Sequence, residues 1–215
     1  MVKMVSPSVL SANFLQLGKD IEMLNSSSAD WIHFDIMDGV FVPNISFGFP
    51  VMKAVASIAK IPLDVHFMIV HPENYIEKTA QLGAYMMTVH AEVCPDLHDI
   101  ISQIHEAGMK AGVSVKPASP LSMVEDILNE VDMILIMSVE PGFGGQKFIE
   151  SSLDKIRELR RMIESKGSRA LIEVDGGVDN RTAPLLREAG ADVLVSGSYI
   201  FKSADPIATI AGLKE

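Results

Sequence analysis

The feature that most constrains the fold is an alternation of short apolar strand patterns with amphipathic helical patterns along the whole chain. β-Branched and aromatic residues bounded by turn residues predict eight strands, at 4–9, 31–36, 63–68, 86–90, 110–115, 133–137, 170–174 and 193–196. Helical periodicity predicts eight amphipathic segments, at 14–24, 50–59, 72–82, 96–107, 121–128, 151–165, 181–189 and 206–213. Eight strand–helix units in 215 residues predict one domain, residues 1–215, folded as a closed (β/α)8 TIM barrel. An open doubly wound sheet is the alternative, and the count of eight favours the barrel.

Chemically active residues stand at the ends of the predicted strands, which is where barrels of this class place their active sites. These positions are Ser8, Asp35, His66, His90, Lys116, Glu140, Asp175 and Gly197. The stretch 31–39, Trp-Ile-His-Phe-Asp-Ile-Met-Asp-Gly, is the clearest case. Because side chains alternate along a strand, His33, Asp35 and Met37 are expected to share one face.

Two histidines and two aspartates at these strand ends predict a metal site, formed by His33, Asp35, His66 and Asp175. Buried imidazole and carboxylate groups need a partner for their charge. Taken singly, each histidine also fits a hydrogen-bonded core residue, and each aspartate fits a cap or an ion-pair partner. The convergence of all four at one rim favours the metal.

Three glycine-bearing turns follow the last three predicted strands, at 141–146, 176–177 and 197–198. Glycine lets backbone amides approach an anion closely, and the loops after strands seven and eight are the usual phosphate site of this fold. Each turn alone also fits a plain tight turn. Together at one rim they favour a phosphate group, and the long turn after strand six has the composition of a mobile lid.

Composition excludes several classes of partner. A net charge of −10 argues against nucleic acid and against an anionic membrane surface. The longest apolar runs fall short of the ~18 residues that a membrane helix needs, and the first residues enter a strand pattern without a signal-peptide core. Cys94 is the only cysteine, which excludes an internal disulfide, fits a reducing cytosol and is interpreted as a spectator thiol. We therefore expect a cytoplasmic protein.

The sequence resembles the ribulose-phosphate 3-epimerase family along essentially its full length. The matching segments are Pro-Ser-Val-Leu-Ser-Ala at 7–12, His-Phe-Asp-Ile-Met-Asp-Gly-Val-Phe-Val-Pro-Asn at 33–44, Asp-Val-His-Phe-Met at 64–68, Met-Ser-Val-Glu-Pro-Gly-Phe-Gly-Gly-Gln at 137–146, Glu-Val-Asp-Gly-Gly-Val at 173–178 and Ser-Gly-Ser at 196–198. Many members differ at Asn13, Lys116 and Glu140, and none of these positions carries metal or protons. The resemblance implies a metal-dependent epimerase that interconverts ribulose 5-phosphate and xylulose 5-phosphate.

The resemblance also implies roles for individual residues. It implies that His33, Asp35, His66 and Asp175 bind one divalent metal ion, and that Asp35 and Asp175 are the catalytic pair that transfers protons. It implies substrate contacts from Ser8, His66, Gly142, Phe143, Gly144, Gly145, Asp175, Gly176, Gly177, Gly197 and Ser198. Met37, Met68 and Met137 fit core filler on sequence grounds. The resemblance favours instead a water-shedding lining of the site.

Inversion beside a ketone explains why such residues are needed. A proton must leave carbon and return on the opposite face, through an ene-diolate whose charge requires an electrophile. Two carboxylates on opposite sides of the substrate provide one base and one acid. Two imidazoles and two carboxylates suit Zn²⁺, Fe²⁺, Mn²⁺ or Co²⁺, and the sequence does not choose among these ions.

Three other functions compete with this interpretation. A D-allulose 6-phosphate 3-epimerase would share the mechanism and change the sugar. A phosphate-binding barrel lyase or decarboxylase would need a lysine between aspartates on strand two, where Met37 stands. A non-catalytic binding protein would not require both Asp35 and Asp175. We expect a sugar phosphate as the small-molecule partner and a homo-oligomer as the assembly, and the sequence assigns no role to His90 or Glu173.

Lys116 and Glu140 follow predicted strands five and six, each directly before a proline. Neighbouring strands lie about 4.8 Å apart, so the two side chains could meet. We therefore predict a structural ion pair that steadies the base of the lid. The aromatic residues Phe41, Phe47 and Phe49 after strand two are expected to be exposed, as an interface or a substrate rim.

Overall fold

The computed structural model describes residues 3–215 and contains eight parallel strands. They are β1 (Met4–Pro7), β2 (Ile32–Met37), β3 (Leu63–Met68), β4 (Met86–His90), β5 (Lys110–Val115), β6 (Met133–Met137), β7 (Leu171–Asp175) and β8 (Val193–Ser196). The hydrogen-bonded order is β1-β8-β7-β6-β5-β4-β3-β2, and a parallel bridge between Ser8 and His33 joins β1 to β2. The predicted (β/α)8 TIM barrel is confirmed.

Helices follow the strands around the outside. They are α1 (Leu17–Asn25), α2 (Phe49–Ala56), α3 (Ile76–Gln81), α4 (Leu97–Glu106), α5 (Ser152–Ser165), α6 (Thr182–Ala189), α7 (Ser198–Phe201) and α8 (Pro206–Gly212). The predicted helix 121–128 is wrong, because the chain there forms only a 3₁₀ turn, Leu121–Met123. The buried residues Leu121, Val124, Ile127 and Leu128 have the spacing of an amphipathic helix, but after the 3₁₀ turn residues 124–130 form only turns. The four-residue α7 is too short to produce a sequence pattern and was not predicted.

Two different environments line the two faces of the barrel wall. On β2, Ile32, Phe34 and Ile36 belong to the large apolar core between the strands and the helices. At the amino-terminal ends of the strands, the barrel interior is filled by an apolar cluster of Trp31, Met86, Met133 and Val193. The other buried interior side chains include many polar ones: Ser6, Ser8, His33, Asp35, Asp64, His66, Thr88, His90, Ser114 and Glu173. Polar groups buried at this density need partners or ligands, so the barrel interior is where function is expected.

Within residues 3–215, no helix combines the length and the apolar character that a membrane crossing requires.

Candidate active site

A cavity of about 790 Å³ opens at the carboxyl ends of the strands. The predicted site residues that line it are Ser8, Asp35, Met37, Met68, Met137, Gly142, Phe143, Gly144, Gly145, Asp175, Gly176, Gly177, Gly197 and Ser198. His33 and His66 are fully buried beside Asp35. Sequence reasoning missed Ser11, Arg181 and Lys202, which also line the cavity. All three lie outside the strand and glycine patterns, although Ser11 falls within the segment 7–12 that carries the family resemblance.

Four side chains on three strands converge beneath this cavity. His33 and Asp35 lie on β2, His66 lies on β3 and Asp175 ends β7, and each offers one atom within 4.8 Å of the other three. Asp35 Oδ1 lies 3.3 Å from His33 Nε2 and 3.3 Å from His66 Nδ1. Ligand atoms bound to one Zn²⁺ at about 2.0–2.1 Å lie roughly 3.0–3.4 Å from each other. These spacings therefore fit a shared metal ion.

The imidazole of His33 is oriented as a metal ligand needs to be. Its Nδ1 lies 2.6 Å from Asp64 Oδ2, and Asp64 also accepts a hydrogen bond from Ser6 Oγ at 3.4 Å. A carboxylate can only accept, so the Nδ1 atom carries the proton. The buried Nε2 atom has no hydrogen-bond partner among the residues that the structure describes. This buried nitrogen lies 3.3 Å from Asp35 Oδ1, so its lone pair is placed where it could bind an ion shared with that carboxylate.

Two carboxylates also perturb the charge of His33. Burial lowers the pKa of His33, but Asp35 and Asp64 together raise it well above its usual value. A proton on the Nε2 atom would therefore compete with a metal ion for the same lone pair. Binding of a metal would displace that proton, so metal binding and proton release are coupled.

The imidazole of His66 is held by the imidazole of His90. His66 Nε2 lies 3.0 Å from His90 Nε2, and His90 Nδ1 lies 3.0 Å from Glu92 Oε2. Both imidazoles are fully buried. Sequence reasoning left His90 unassigned, because its place beside His66 follows from the register of β3 with β4, in which Thr88 pairs with His66 and His90 comes two residues later on the same face.

The two candidate proton-transfer carboxylates have different surroundings. Ser8 Oγ donates a hydrogen bond of 2.5 Å to Asp35 Oδ2. Burial alone would raise the pKa of Asp35, but the neighbouring His33 and His66 hold it well below its usual value. Burial, reinforced by the charge of Asp35, raises the pKa of Asp175 to about 6. In the metal-free site the first carboxyl group is therefore the stronger acid, and the second holds its proton more readily.

A second cluster of buried titratable side chains lies next to the four candidate ligands. His33, Asp64 and Glu173 also offer ligand atoms within 4.8 Å of one another. Burial and the nearby Asp64 raise the pKa of Glu173 well above its usual value. Since Asp64 is hydrogen-bonded to His33, Asp64 and Glu173 support the candidate metal site from deeper inside the barrel. No pattern in the sequence assigned a role to Glu173.

The glycine turns form the outer wall of the cavity. Gly177 has φ +63°, and a Cβ atom there would lie 2.7 Å from the backbone of Phe148, so no other residue fits without a shift. In the turn 141–146, the side-chain amide of Asn44 donates to the carbonyl of Gly142 at 2.8 Å. This hydrogen bond ties the candidate lid to the loop after β2.

The predicted ion pair between Lys116 and Glu140 is wrong. Among residues 3–215 no salt bridge joins them, and the Lys116 ammonium lies 3.8 Å from the centre of the Phe41 ring instead. The strand register explains the error: Val115 pairs with Ile136, so Lys116 lies level with the residue after Ile136, three short of Glu140. That offset is about 10 Å along a strand. The base of the turn is closed by Gln146, whose amide donates to the Glu140 carbonyl at 2.6 Å.

The aromatic residues after β2 are also not exposed as expected. Phe47 packs on Phe34 with ring centres 4.5 Å apart, and Phe49 packs on Tyr75 at 5.8 Å. Phe41 lies over His90 at 4.6 Å. These rings are half-buried and cover neighbouring elements.

The chain is similar in sequence to known proteins along nearly its whole length. A sequence profile described as the Ribulose-phosphate 3 epimerase family matches residues 4–201. The chain is 50% identical to ribulose-phosphate 3-epimerase of Bacillus subtilis, over 94% of this chain and 93% of that protein. It is 48% identical to the chloroplastic ribulose-5-phosphate-3-epimerase of Arabidopsis thaliana, over 98% of this chain and 75% of that one.

Solved structures of other proteins share the fold. KGPDC from Streptococcus mutans aligns with a TM-score of 0.75 at 13% identity, over 100% of this chain and 96% of that one. Orotidine 5'-phosphate decarboxylase from Pyrococcus horikoshii aligns with a TM-score of 0.68 at 14% identity, over 98% and 97%. At this level of identity the likeness concerns the barrel alone.

Proposed function

Because the chain belongs to the ribulose-phosphate 3-epimerase family, we propose that this isomerase interconverts D-ribulose 5-phosphate and D-xylulose 5-phosphate by inverting C3. The observation that carries the proposal is the convergence of Asp35 and Asp175 with two oriented imidazoles at the floor of a cavity walled by glycine turns. We further propose that residues 1–215 act as one catalytic domain. The expected homo-oligomeric state and cytoplasmic location stay predictions.

The residues that would hold one divalent ion are His33, Asp35, His66 and Asp175. When bound, such an ion supplies Lewis-acid polarisation of the ketone and hydroxyl oxygens beside C3. The mixed imidazole and carboxylate set suits Zn²⁺, Fe²⁺, Mn²⁺ or Co²⁺. The unpartnered Nε2 atom of His33 supports this assignment.

Asp35 and Asp175 would move the protons. One carboxylate removes the C3 proton of one epimer, which leaves an ene-diolate, and the other returns a proton to the opposite face of the same carbon. In the reverse direction the two groups exchange roles. Ser8 holds one Asp35 oxygen by its hydroxyl, which leaves the other oxygen toward His33 and His66. General acid–base catalysis of this kind contributes about 10²–10⁴-fold.

Three methionines would shield the reacting carbon. Met37 and Met68 belong to one small buried apolar cluster, and Met137 belongs to another, and all three line the cavity. Their flexible, polarizable side chains can fit either epimer. Excluding water here protects the ene-diolate from unwanted protonation.

The glycine wall would bind the phosphate group. The proposed contacts are the backbone amides of Gly176, Gly177, Gly197 and Ser198. A backbone N–H can donate a hydrogen bond to a phosphate oxygen, and a residue with a small side chain lets the phosphate come close. The segment Gly142, Phe143, Gly144 and Gly145 would cover the substrate as a lid. Ser8 and His66 would contact the sugar end, since Ser8 lines the cavity and both residues contact Asp35.

Steady-state kinetics on protein reconstituted with a defined metal tests this proposal. We expect kcat/KM to be greater for D-ribulose 5-phosphate than for D-allulose 6-phosphate, which has the same reacting centre and one more carbon. The reverse preference would assign the chain to the hexulose reaction. Absence of epimerisation with both sugars, under every one of the four metals, would overturn the proposed chemistry.

A further inference from the structure

His90 is a buried titratable group that contacts a candidate ligand but has no part in the proposed reaction, and the half-buried Glu92 contacts it in turn. His90 Nε2 lies 3.0 Å from Nε2 of the candidate ligand His66. The other ring nitrogen of His66, Nδ1, is the one that approaches Asp35. His66 therefore offers one nitrogen to the metal-type site and the other to His90.

The direction of these hydrogen bonds follows from Glu92. A carboxylate only accepts, so His90 Nδ1, at 3.0 Å from Glu92 Oε2, must carry a proton and donate it. In a neutral imidazole the remaining nitrogen, His90 Nε2, is then an acceptor. The contact between the two Nε2 atoms needs one proton, which must come from His66. His66 Nδ1 is left with its lone pair, on the side where Asp35 and the ligand atoms meet.

Glu92 is itself held firmly in the acceptor role. Its other oxygen, Oε1, accepts from the backbone N–H of Lys116 at 2.7 Å and from the Ser119 hydroxyl. The same loop is fixed from outside, because Lys155 Nζ donates to the carbonyls of Lys116 and Ser119. Hydrogen bonds from His90 and from this loop hold the pKa of Glu92 at about 2 although burial raises it.

Water is kept from this chain of hydrogen bonds by packing. His90 is fully buried, and the Phe41 ring lies over it with centres 4.6 Å apart. The Lys116 ammonium lies over the same Phe41 ring. A buried hydrogen bond of this kind is stronger than a solvated one and fixes a single tautomer.

We propose that His90 and Glu92 are positioning residues that fix His66 as its Nε2–H tautomer, so that Nδ1 is the nitrogen that binds the metal. The inference rests on the metal site of the proposed function. It gives His66 the same kind of support that Asp64 gives His33, with an imidazole inserted between ligand and carboxylate.

Metal affinity of His90 variants tests the inference. His90→Leu removes the acceptor, whereas His90→Gln replaces it with an amide oxygen of similar reach. We expect His90→Leu to weaken Co²⁺ binding, measured by chelator competition, by about 10- to 100-fold and to shift the visible absorption of bound Co²⁺. His90→Gln should recover most of that loss. The matched control is His98→Asn, which breaks an exposed histidine–carboxylate pair to Glu130 and should leave both readouts unchanged.

Three outcomes of the Co²⁺ measurements would overturn the inference. His90→Leu could bind Co²⁺ with the wild-type constant and spectrum, or His90→Gln could lose as much affinity as His90→Leu. If wild-type protein itself binds no Co²⁺, the metal site of the proposed function fails and this inference fails with it. A measurement without variants covers the case of poor folding. In the Zn²⁺-loaded wild type, long-range ¹H–¹⁵N spectra should show protons on His66 Nε2 and His90 Nδ1, and the opposite tautomers would contradict the proposal.

Discussion

The floor and the wall of the cavity are built in opposite ways. The floor, comprising His33, Asp35, His66 and Asp175, stands on strands, and its two imidazoles are fully buried and supported by further buried groups. The wall, comprising segments 141–146, 176–177 and 197–198, stands on loops rich in glycine, and part of it is exposed. Reacting groups need fixed geometry and little water, whereas a phosphate needs accessible amides.

This difference predicts how changes at each place should act. A change in the floor removes a group that moves a proton or holds the ion, so it should lower kcat. A change in the wall loosens substrate binding or closure, so it should raise KM more than it lowers kcat.

Replacing either floor carboxylate should have the largest effect. Asp35→Asn and Asp175→Asn should each lower kcat by at least about 10²–10⁴-fold, because each removes a proton carrier and a ligand. The measurement is turnover of D-ribulose 5-phosphate. Asp154→Asn, on α5 in an exposed pair with Arg157, is the matched control and should be silent. Near wild-type turnover by either floor variant would remove it from the catalytic pair.

Removing the metal should act on the floor and leave the wall intact. A strong chelator should abolish epimerisation, and one divalent ion per chain should restore it. Calorimetry should show that the metal-free protein still binds a phosphate-bearing product. The affinity for that product should fall by a smaller factor than turnover does. Full activity in protein shown by elemental analysis to be free of transition metal would contradict the assignment of the floor.

A single methyl group should disturb the wall. Gly177→Ala must place a Cβ atom 2.7 Å from the Phe148 backbone at φ +63°, so we expect KM to rise, with a loss of roughly 1–3 kcal/mol of stability. Steady-state kinetics and thermal unfolding measure the two effects. Gly212→Ala is the matched control, since a Cβ atom there meets nothing within 4 Å. A fall in kcat with unchanged KM would contradict the assignment of Gly177 to substrate binding.

Lys116 and Glu140 should show the smallest coupling. Since no salt bridge joins them, a double-mutant cycle on stability should give a coupling energy indistinguishable from zero. Lys116→Met alone should cost about 0.5–1 kcal/mol, through loss of its contact with the Phe41 ring. A coupling of the size of an ion pair would mean that the side chains meet after all.

These residues also show what the sequence could and could not predict. Strand alternation is a local property, so the shared face of His33, Asp35 and Met37 followed from spacing alone. The offset between β5 and β6 is set by the tilt of the closed barrel, which no local pattern records, so the contact of Lys116 was missed. The roles of His90 and Asp64 also depend on which strands are neighbours and on where their side chains meet.

The most direct test of the central claim is hydrogen exchange at C3 in D₂O, followed by NMR of each epimer with Asp35→Asn and Asp175→Asn. If two carboxylates act on opposite faces of the substrate, wild-type enzyme will place deuterium at C3 of the product. Each variant will then exchange at most one epimer without net epimerisation, and the two variants will not share that epimer. If both variants exchange the same epimer, or if one still interconverts the two sugars at near the wild-type rate, the two carboxylates do not divide the faces of the substrate between them and the account is wrong.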